Sequence, residues 1–232
     1  MTLYPKEMVK YWEEIIRNNR DDYHTYVTNP SLIGQIESLE GFLKILDVGC
    51  GEGYVSRYIS SISHDVIGID NSPEFVKSAK KYSKDSENYL VGDVQNLPFS
   101  KDSFDVVIAN MLLMELQTPN KAISEVSRIL KPKGKFIFQI LHPSRGLMNN
   151  DKSDYFTNSK QVKKYLVDGL ESPFKSIRYH HPFSFYTKSL QDNGFVIYHL
   201  DEPVPSSNMP RDNPLWEIFK EPQIMIIGAK KK

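Results

Sequence analysis

The sequence predicts an α/β fold, a doubly wound sheet with helices on both faces, and three observations predict it. Five short runs rich in Ile, Val and Phe follow one another between residues 43 and 141: LKILDVG, DVIGID, NYLVGD, FDVVIAN and KFIFQIL. They are apolar on both faces, as strands covered from both sides must be. Helical segments with their own start signals separate several of them, and such alternation builds a parallel sheet. The third observation is ILDVGCGEGYVSRYIS, residues 45–60, where a strand runs into glycines at alternate positions and then into a helix.

The elements follow in order. EMVKYWEEIIRN places Met8, Trp12, Ile15 and Ile16 on one face of an amphipathic helix that precedes the sheet. NSPEFVKSAKKY offers Ser72 as N-cap, Pro73 at the first helical position, and an apolar face of Phe75, Val76 and Ala79. TPNKAISEVSRILKPKG repeats that grammar with Thr118 and Pro119, then Ala122, Ile123, Val126, Ile129 and Leu130, and Pro132 and Gly134 stop it. Residues 143–180 hold a polar stretch, SRGLMNNDKSD, and then SKQVKKYLVDGL, whose spacing predicts a helix; together they read as an insertion over the sheet edge. SFYTKSLQDNGFVIYHLDEP gives a helix ended by Gly194 and a strand over 195–200. Five prolines between 203 and 222 mark an irregular connection, and PQIMIIGAK is a last strand. The expected organisation is one domain over 1–232: a helical cap or lid (1–40), a core (41–141), a substrate-side insertion (142–182), and a C-terminal helix with edge strands (183–232).

Composition narrows the function classes. Of the 232 residues, 40% are hydrophobic and 25% charged, values of an ordinary globular protein. Lys plus Arg equals Asp plus Glu at 29 each, so no net field gathers nucleic acid or an acidic membrane. The KKK at 230–232 reads as a solvated tail. The single cysteine, Cys50, excludes a disulfide within the chain and suits a reducing, cytoplasmic setting. The N-terminus lacks the apolar run of a signal peptide, and no window approaches the ~18 apolar residues of a spanning helix. No Cys/His cluster marks a metal site, and the pattern leaves the oligomeric state open.

The glycine loop carries the chemistry. A dinucleotide fingerprint needs G-x-G-x-x-G, but here Gly49, Gly51 and Gly53 alternate, and Tyr54 stands where the third glycine belongs. The Gly-Lys-Ser/Thr of a P-loop is absent. Asp47, inside a buried strand, is costly unless paired. Either a cationic ligand group pairs with it or it bonds the amides of its own turn. The next strands end in Asp70, placed for both hydroxyls of a ribose, in Asp93, placed for an adenine amino group, and in Asn110, which can donate and accept. Four polar residues at four consecutive strand ends face the crevice where open α/β sheets bind ligands. A ligand with a ribose, a base and a charged group, and no pyrophosphate, fits them.

These motifs resemble class I S-adenosylmethionine-dependent methyltransferases of the small-molecule and quinone-biosynthesis group. ILDVGCGEG is similar to that family's first motif, VIGIDNS to its acidic second-strand end, GDVQNLPFSKDSFDVVIAN to its third and fourth strands, and ILKPKGKFIF to its helix and fifth strand. The resemblance is strong over 42–141 and looser over 183–230. It implies a Rossmann-like seven-stranded sheet in the order 3-2-1-4-5-7-6 with the last strand antiparallel. It also implies S-adenosyl-L-methionine as cofactor and S-adenosyl-L-homocysteine as product. Gly49, Gly51 and Asp47 would face the methionine portion, Asp70 the ribose, Asp93 and Val94 the adenine, and Asn110 the region beside the sulfonium, with Asn71 also among the cofactor contacts. Tyr26 would reach the methionine carboxylate.

Methyl transfer needs a base only when the acceptor starts protonated. His142, directly after the fifth strand, and the pair His180 and His181 in RYHHPFSFY, which lie before the late helix over the same pocket, are the candidates, with His142 and His181 put forward as catalytic; His24, His64 and His199 read as ordinary loop or strand residues. Aromatic residues at both ends (Trp12, Tyr23, Tyr26, Tyr155, Phe156, Phe174, Tyr179, Phe183, Phe185) suit a lid over an apolar acceptor or simple core packing. The place after the fourth strand reads Asn110-Met111-Leu112-Leu113, unlike the Pro-Pro motif of enzymes that methylate DNA amino groups. The expected function is therefore methylation of a small molecule at O, N or C. The alternatives are a NAD(P)-dependent oxidoreductase, a cofactor-binding protein with a regulatory role, and, disfavoured by the neutral charge, a tRNA or protein acceptor.

Overall fold

A parallel strand that is apolar on both faces needs a layer on each side, and the computed structural model supplies both. It describes residues 4–62, 64–84, 87–146, 155–167 and 170–232. The chain opens with α1 (Lys6–Arg17), then a π-helical turn (His24–Thr28) that runs directly into α2 (Asn29–Glu37). The core follows as β1 (Lys44–Val48), α3 (Tyr54–Ser61), β2 (Asp65–Asp70), α4 (Pro73–Lys81), β3 (Glu87–Val91), β4 (Phe104–Asn110), α5 (Pro119–Ile129) and β5 (Leu130–Leu141). After it come β6 (Ser159–Val167), β7 (Leu170–His180), α6 (Phe183–Asp192), β8 (Phe195–Asp201), α7 (Leu215–Ile218) and β9 (Ile224–Lys231).

Seven strands form one sheet in the order β3-β2-β1-β4-β5-β9-β8. β1 to β5 run parallel, and β9 is antiparallel to both neighbours, β5 and β8. With the separate β6–β7 hairpin set aside, this is the order 3-2-1-4-5-7-6 that the resemblance implies. Alternation along the strands divides the core in two. Leu46, Val48, Val107, Phe136 and Phe138 pack against Ile123 and Val126 of α5 and Leu190 of α6. Ile45, Val106, Ile108 and Ile137 pack on the opposite face against Leu32 and Ile36 of α2 and Val55 and Ile59 of α3. Each such side chain contributes about 1.5–3 kcal/mol by leaving water.

Local signals hold unevenly. Ser72 caps α4, its hydroxyl accepting from the Phe75 amide at 3.3 Å. Thr118 precedes α5 without capping it; its hydroxyl donates to Gln95 Oε1 at 2.9 Å. α5 stops at Ile129, and Pro132 already lies in the extended chain of β5. α1 buries Met8, Val9 and Ile15, while Trp12 and Ile16 face the cavity described below. Glu13 accepts from Ser78 at 2.8 Å, and the Arg17 guanidinium stacks 3.5 Å from the Tyr82 ring, so α1 is tied to α4.

Two expectations are corrected. SKQVKKYLVDGL forms no helix: β6 and β7 pair antiparallel, with Ser159 opposite His180, Gln161 opposite Arg178 and Lys163 opposite Ser176. Its apolar residues fit a helical spacing, but pairing with the strand that ends in RYH satisfies the backbone instead. Most of the polar stretch before it, residues 147–154, lies outside the described residues. The terminal lysines are not a free tail either. Lys230 pairs with Lys135 and Val196 in the sheet, and Lys231 Nζ donates to the Leu130 carbonyl at 2.6 Å and to Asp102 Oδ1 at 3.1 Å.

Candidate active site

Parallel strands all end on one edge, so whatever follows them converges there. Asp47, Asp70, Asp93, Asn110 and His142 meet in this way around a cavity of about 1470 Å³. α1 and the His24–Thr28 turn form one wall, and the β6–β7 hairpin forms another.

The glycine loop is held by its backbone. The amides of Gly49 and Cys50 both donate to the Ile69 carbonyl, at 2.7 and 3.1 Å. Gly51 sits at φ 54°, a left-handed conformation that glycine adopts freely, and a Cβ there would meet nothing within 4 Å. The loop is therefore bare toward the cavity at Gly51. Tyr54 begins α3 and sets its ring edge-on to His24, with centroids 5.3 Å apart.

Asp70 locks this loop to the next helix. Its Oδ2 accepts from the Gly51 amide at 3.0 Å and its Oδ1 from the Ser72 amide at 2.8 Å. Burial raises its pKa, and the two amides oppose that rise. A carboxylate has about four acceptor sites, so each oxygen keeps capacity for a ligand hydroxyl. Asn71, exposed, lines the cavity beside it.

Asp47 is almost wholly buried, and the Ser56 hydroxyl of α3 donates to its Oδ2 at 2.7 Å. Burial pushes its pKa up to about 6, and Asp70 adds to the rise. Its side-chain partner thus comes from the helix that follows the turn rather than from an amide of the turn itself. Asp93 lies two residues beyond β3, in a turn where its Oδ1 accepts from the Gln95 amide at 2.8 Å; Val94 beside it is buried and lines the cavity. Asn110 Oδ1 accepts from Gln139 Nε2 at 3.1 Å. Gln139, fully buried, also donates to the Thr28 carbonyl at 3.2 Å and accepts from Ser31 at 2.5 Å, which ties the N-terminal segment to the sheet centre.

Tyr26 is not part of the wall; its carbonyl accepts from the Ser206 amide at 2.7 Å. Tyr4, Trp12, Tyr23, His24 and Thr28 line that side instead. His24 was not singled out by the sequence. Thr28 Oγ1 lies 3.2 Å from its Nδ1, its Nε2 is buried without a hydrogen-bond partner among the described residues, and burial pushes its pKa down to about 4. The π-helical turn brings His24 and Thr28 together, and nothing in DDYHTYVT announces that turn. Glu115 was missed for a related reason. A 3₁₀ turn over Leu113–Glu115 sends Leu113 and Met114 into the core and leaves Glu115 on the cavity wall. Its Oε2 accepts from the Tyr4 hydroxyl, and burial together with Asp70 pushes its pKa up to about 7.

The histidines differ in what their nitrogens do. His142 is fully engaged: Nδ1 accepts from the Ser144 amide at 3.2 Å and lies 2.7 Å from Ser144 Oγ, while Nε2 is 2.9 Å from Glu202 Oε1. Burial lowers its pKa against the pull of Glu202. His181 lines the cavity but is 3% exposed; its ring stacks on Phe185 at 4.6 Å and its Nε2 donates to the Leu116 carbonyl at 3.1 Å. Its Nδ1 is sealed from solvent. Cys50 is buried, and its thiol pKa is pushed well up by burial, then by Asp47 and Asp70, which disarms it as a nucleophile.

Only part of the expected aromatic lid faces the cavity. Trp12, Tyr23 and Tyr179 do, joined by Tyr4, Phe75 and Tyr165. Phe156 is exposed, Phe174 sets its ring against Tyr11, and Phe183 and Phe185 pack on the core. The hairpin wall is polar and basic, carrying Gln161, Lys163 and Arg178.

Comparison with known proteins agrees with this architecture. Residues 46–138 match a family model described as a methyltransferase domain. The chain is 31% identical over 137 residues to a malonyl-[acyl-carrier protein] O-methyltransferase of Buchnera aphidicola, covering 58% of this chain and 54% of that protein. It is 32% identical over 113 residues to a demethylmenaquinone methyltransferase of Renibacterium salmoninarum, covering 48% and 47%. The chain thus spans about half the length of these relatives. An S-adenosylmethionine-dependent methyltransferase from Mesorhizobium loti shares the fold, with a TM-score of 0.68 and 22% identity over 87% of this chain and 96% of that one. Among the described residues, no helix is long and apolar enough to cross a membrane.

Proposed function

We propose that this chain, with its methyltransferase domain over residues 46–138, transfers a methyl group from S-adenosylmethionine to a small-molecule acceptor. One observation carries the reading: Asp70, at the end of β2, holds the bare glycine turn at Gly51 and the start of α4 while keeping acceptor capacity toward the cavity. A diol-bearing nucleoside suits that geometry. Asp47 and Glu115, which have no ion pair among the described residues and whose charge burial disfavours, line the same space, and a cofactor carrying a sulfonium and an ammonium would supply the cation they lack. His24, whose buried Nε2 has no hydrogen-bond partner among the described residues, supports a polar contact on that wall.

The group fits these residues. Asp70 and Asn71 would hold the ribose, Asp93 and Val94 the adenine, and Gly49, Gly51 and Asp47 the methionine portion, with Asn110 beside the sulfur. Bound S-adenosylmethionine would supply an electrophilic methyl group. The chain's own task is to align the acceptor with it, worth about 7–11 kcal/mol in well-oriented systems. An oxidoreductase reading is weaker, because Tyr54 opens α3 where a dinucleotide-binding helix needs a glycine.

Oxygen is the favoured acceptor atom, since one relative is named as an O-methyltransferase. The test is transfer of isotopically labelled methyl from S-adenosylmethionine to a panel of phenols, carboxylates and amines. Labelled product with release of S-adenosylhomocysteine supports the reading. Hydride transfer from NADH or NADPH to a carbonyl panel, with no methyl transfer, overturns it.

A further inference from the structure

We propose that Glu115 is the general base of this site, taking the proton from a hydroxyl-bearing acceptor as the methyl group arrives. The inference rests on the methyltransferase reading with its oxygen acceptor and deepens it. β4 ends at Asn110, and the chain reverses at once. Met111 adopts φ 56°, a left-handed conformation uncommon for a residue with a side chain, and its amide donates to the Gln139 carbonyl at 2.8 Å. The 3₁₀ turn Leu113–Glu115 follows, with the Glu115 amide on the Leu112 carbonyl at 2.8 Å. Leu112 packs against the glycine loop: a Cβ on Gly49 would lie 2.9 Å from its Cδ1. The turn is therefore joined to Asn110 at one end and to the glycine loop through Leu112. In the proposed binding mode these flank the sulfur and the methionine portion. Glu115 itself is half-buried on the cavity wall, close enough to Asp70 for that charge to act on it.

A proton acceptor must be fixed, basic and within reach. The Tyr4 hydroxyl fixes Glu115 by donating to its Oε2. The Tyr4 ring in turn sits edge-on to Phe75 with centroids 5.4 Å apart, which anchors the contact on α4. Burial and then Asp70 make the carboxylate more basic, raising its pKa to about 7. Tyr165 of β6 stands nearby: burial and then the Glu115 charge raise its pKa to about 12, while Arg178 and Arg145 pull it down.

Other acids on the wall already have structural partners. Asp70 accepts from two amides, Asp47 from Ser56, Asp93 from an amide of its own turn, and Glu52 pairs with Arg57 at 2.7 Å. The two histidines put forward from the sequence are spent. Both ring nitrogens of His142 are engaged, and the Nδ1 of His181 is sealed from solvent.

The acceptor's O–H bond breaks, its proton passes to a Glu115 oxygen, and the acceptor oxygen's electron pair forms the new bond to carbon. The electrons of the broken carbon–sulfur bond stay with sulfur as a neutral thioether, and the carboxylic acid returns its proton to water.

Whether Glu115 faces the reacting carbon can be tested without any acceptor. Sinefungin carries an ammonium group where S-adenosylmethionine carries its sulfonium methyl, and S-adenosylhomocysteine carries neither charge nor methyl there. Calorimetric titration of the full chain should give sinefungin an affinity at least about tenfold above that of S-adenosylhomocysteine, the strength of one charge-assisted hydrogen bond. In Glu115→Gln that preference should disappear through loss of sinefungin affinity alone. Tyr4 can still donate to the amide oxygen of the variant, and unchanged S-adenosylhomocysteine affinity reports an intact fold. A wild-type chain without the preference overturns the proposal. So does a preference that survives in Glu115→Gln, or an equal loss for both ligands. Kinetics supply the second readout. With a hydroxyl acceptor, Glu115→Gln should lower kcat about 100-fold or more. Unchanged kcat overturns the proposal. Binding of neither nucleoside to the wild-type chain strikes the methyltransferase reading itself and takes this inference with it.

Discussion

The Ser56 hydroxyl donates to Asp47 Oδ2 at 2.7 Å, so the acid buried at the end of β1 is held by the helix that its own glycine loop leads into. Strand, loop and helix are thereby closed into one unit beneath the cavity.

Ser56→Ala should break that unit locally. Asp47 is 1% exposed and would lose its side-chain donor, leaving a buried carboxylate poorly satisfied. The expected cost is about 1–3 kcal/mol in urea denaturation, with a further rise in the Asp47 pKa. A stability loss under ~0.5 kcal/mol would show that the bond contributes little.

Gly53 should resist substitution for two separate reasons. Its φ of 86° is left-handed, and an added Cβ would sit 2.6 Å from the Tyr89 hydroxyl. Gly53→Ala should lose about 1–2 kcal/mol from the backbone alone. Shortening the neighbour in Gly53→Ala/Tyr89→Ala relieves the clash but not the φ, so the Gly53→Ala penalty measured in the Tyr89→Ala background should shrink without vanishing. A vanished penalty would assign the whole effect to crowding.

Glu115 gives the fold a pH dependence with a definite sign. Its pKa rises from the ordinary 4.5 to about 7 because burial and Asp70 disfavour its charge. The folded chain therefore binds a proton that the unfolded chain has released. Stability from this group is full below pH 4.5, falls as pH rises, and is gone above about 7. Asp47, raised to about 6, slopes the same way at lower pH. Glu115→Gln should flatten the Tm–pH curve between those limits, by an amount equivalent to about 1–3 kcal/mol. An unchanged slope in thermal melts across that range would contradict the assignment.

Which parts of this were legible follows from where the information lies. The strands over 43–141 repeat Ile and Val on both faces, and only a covered parallel sheet uses such runs. Asp47, Asp70, Asp93 and Asn110 could be placed in one crevice because parallel strands deliver their ends to one edge. The hairpin was not legible: the apolar side chains of SKQVKKYLVDGL fit a helical spacing, and the choice between helix and strand is made by pairing with the segment Leu170–His180. His24 and Glu115 depend on a π-helical and a 3₁₀ turn, each a local irregularity without a residue signature. Tyr26 and Tyr23 are three residues apart, and only the angle of that turn decided which one faces the cavity. His180 and His181 are adjacent, and their hydrogen-bond partners, Tyr155 and Leu116, come from distant segments.

The most direct test of the central claim is calorimetric titration of the full chain with S-adenosylhomocysteine, repeated with Asp70→Ala. The account predicts saturable one-to-one binding by the wild-type chain, loss of at least tenfold in affinity in Asp70→Ala, and no binding of NAD under the same conditions. Each tenfold corresponds to about 1.4 kcal/mol. Heat from NAD but none from S-adenosylhomocysteine, or equal affinity in the folded Asp70→Ala variant, would contradict it.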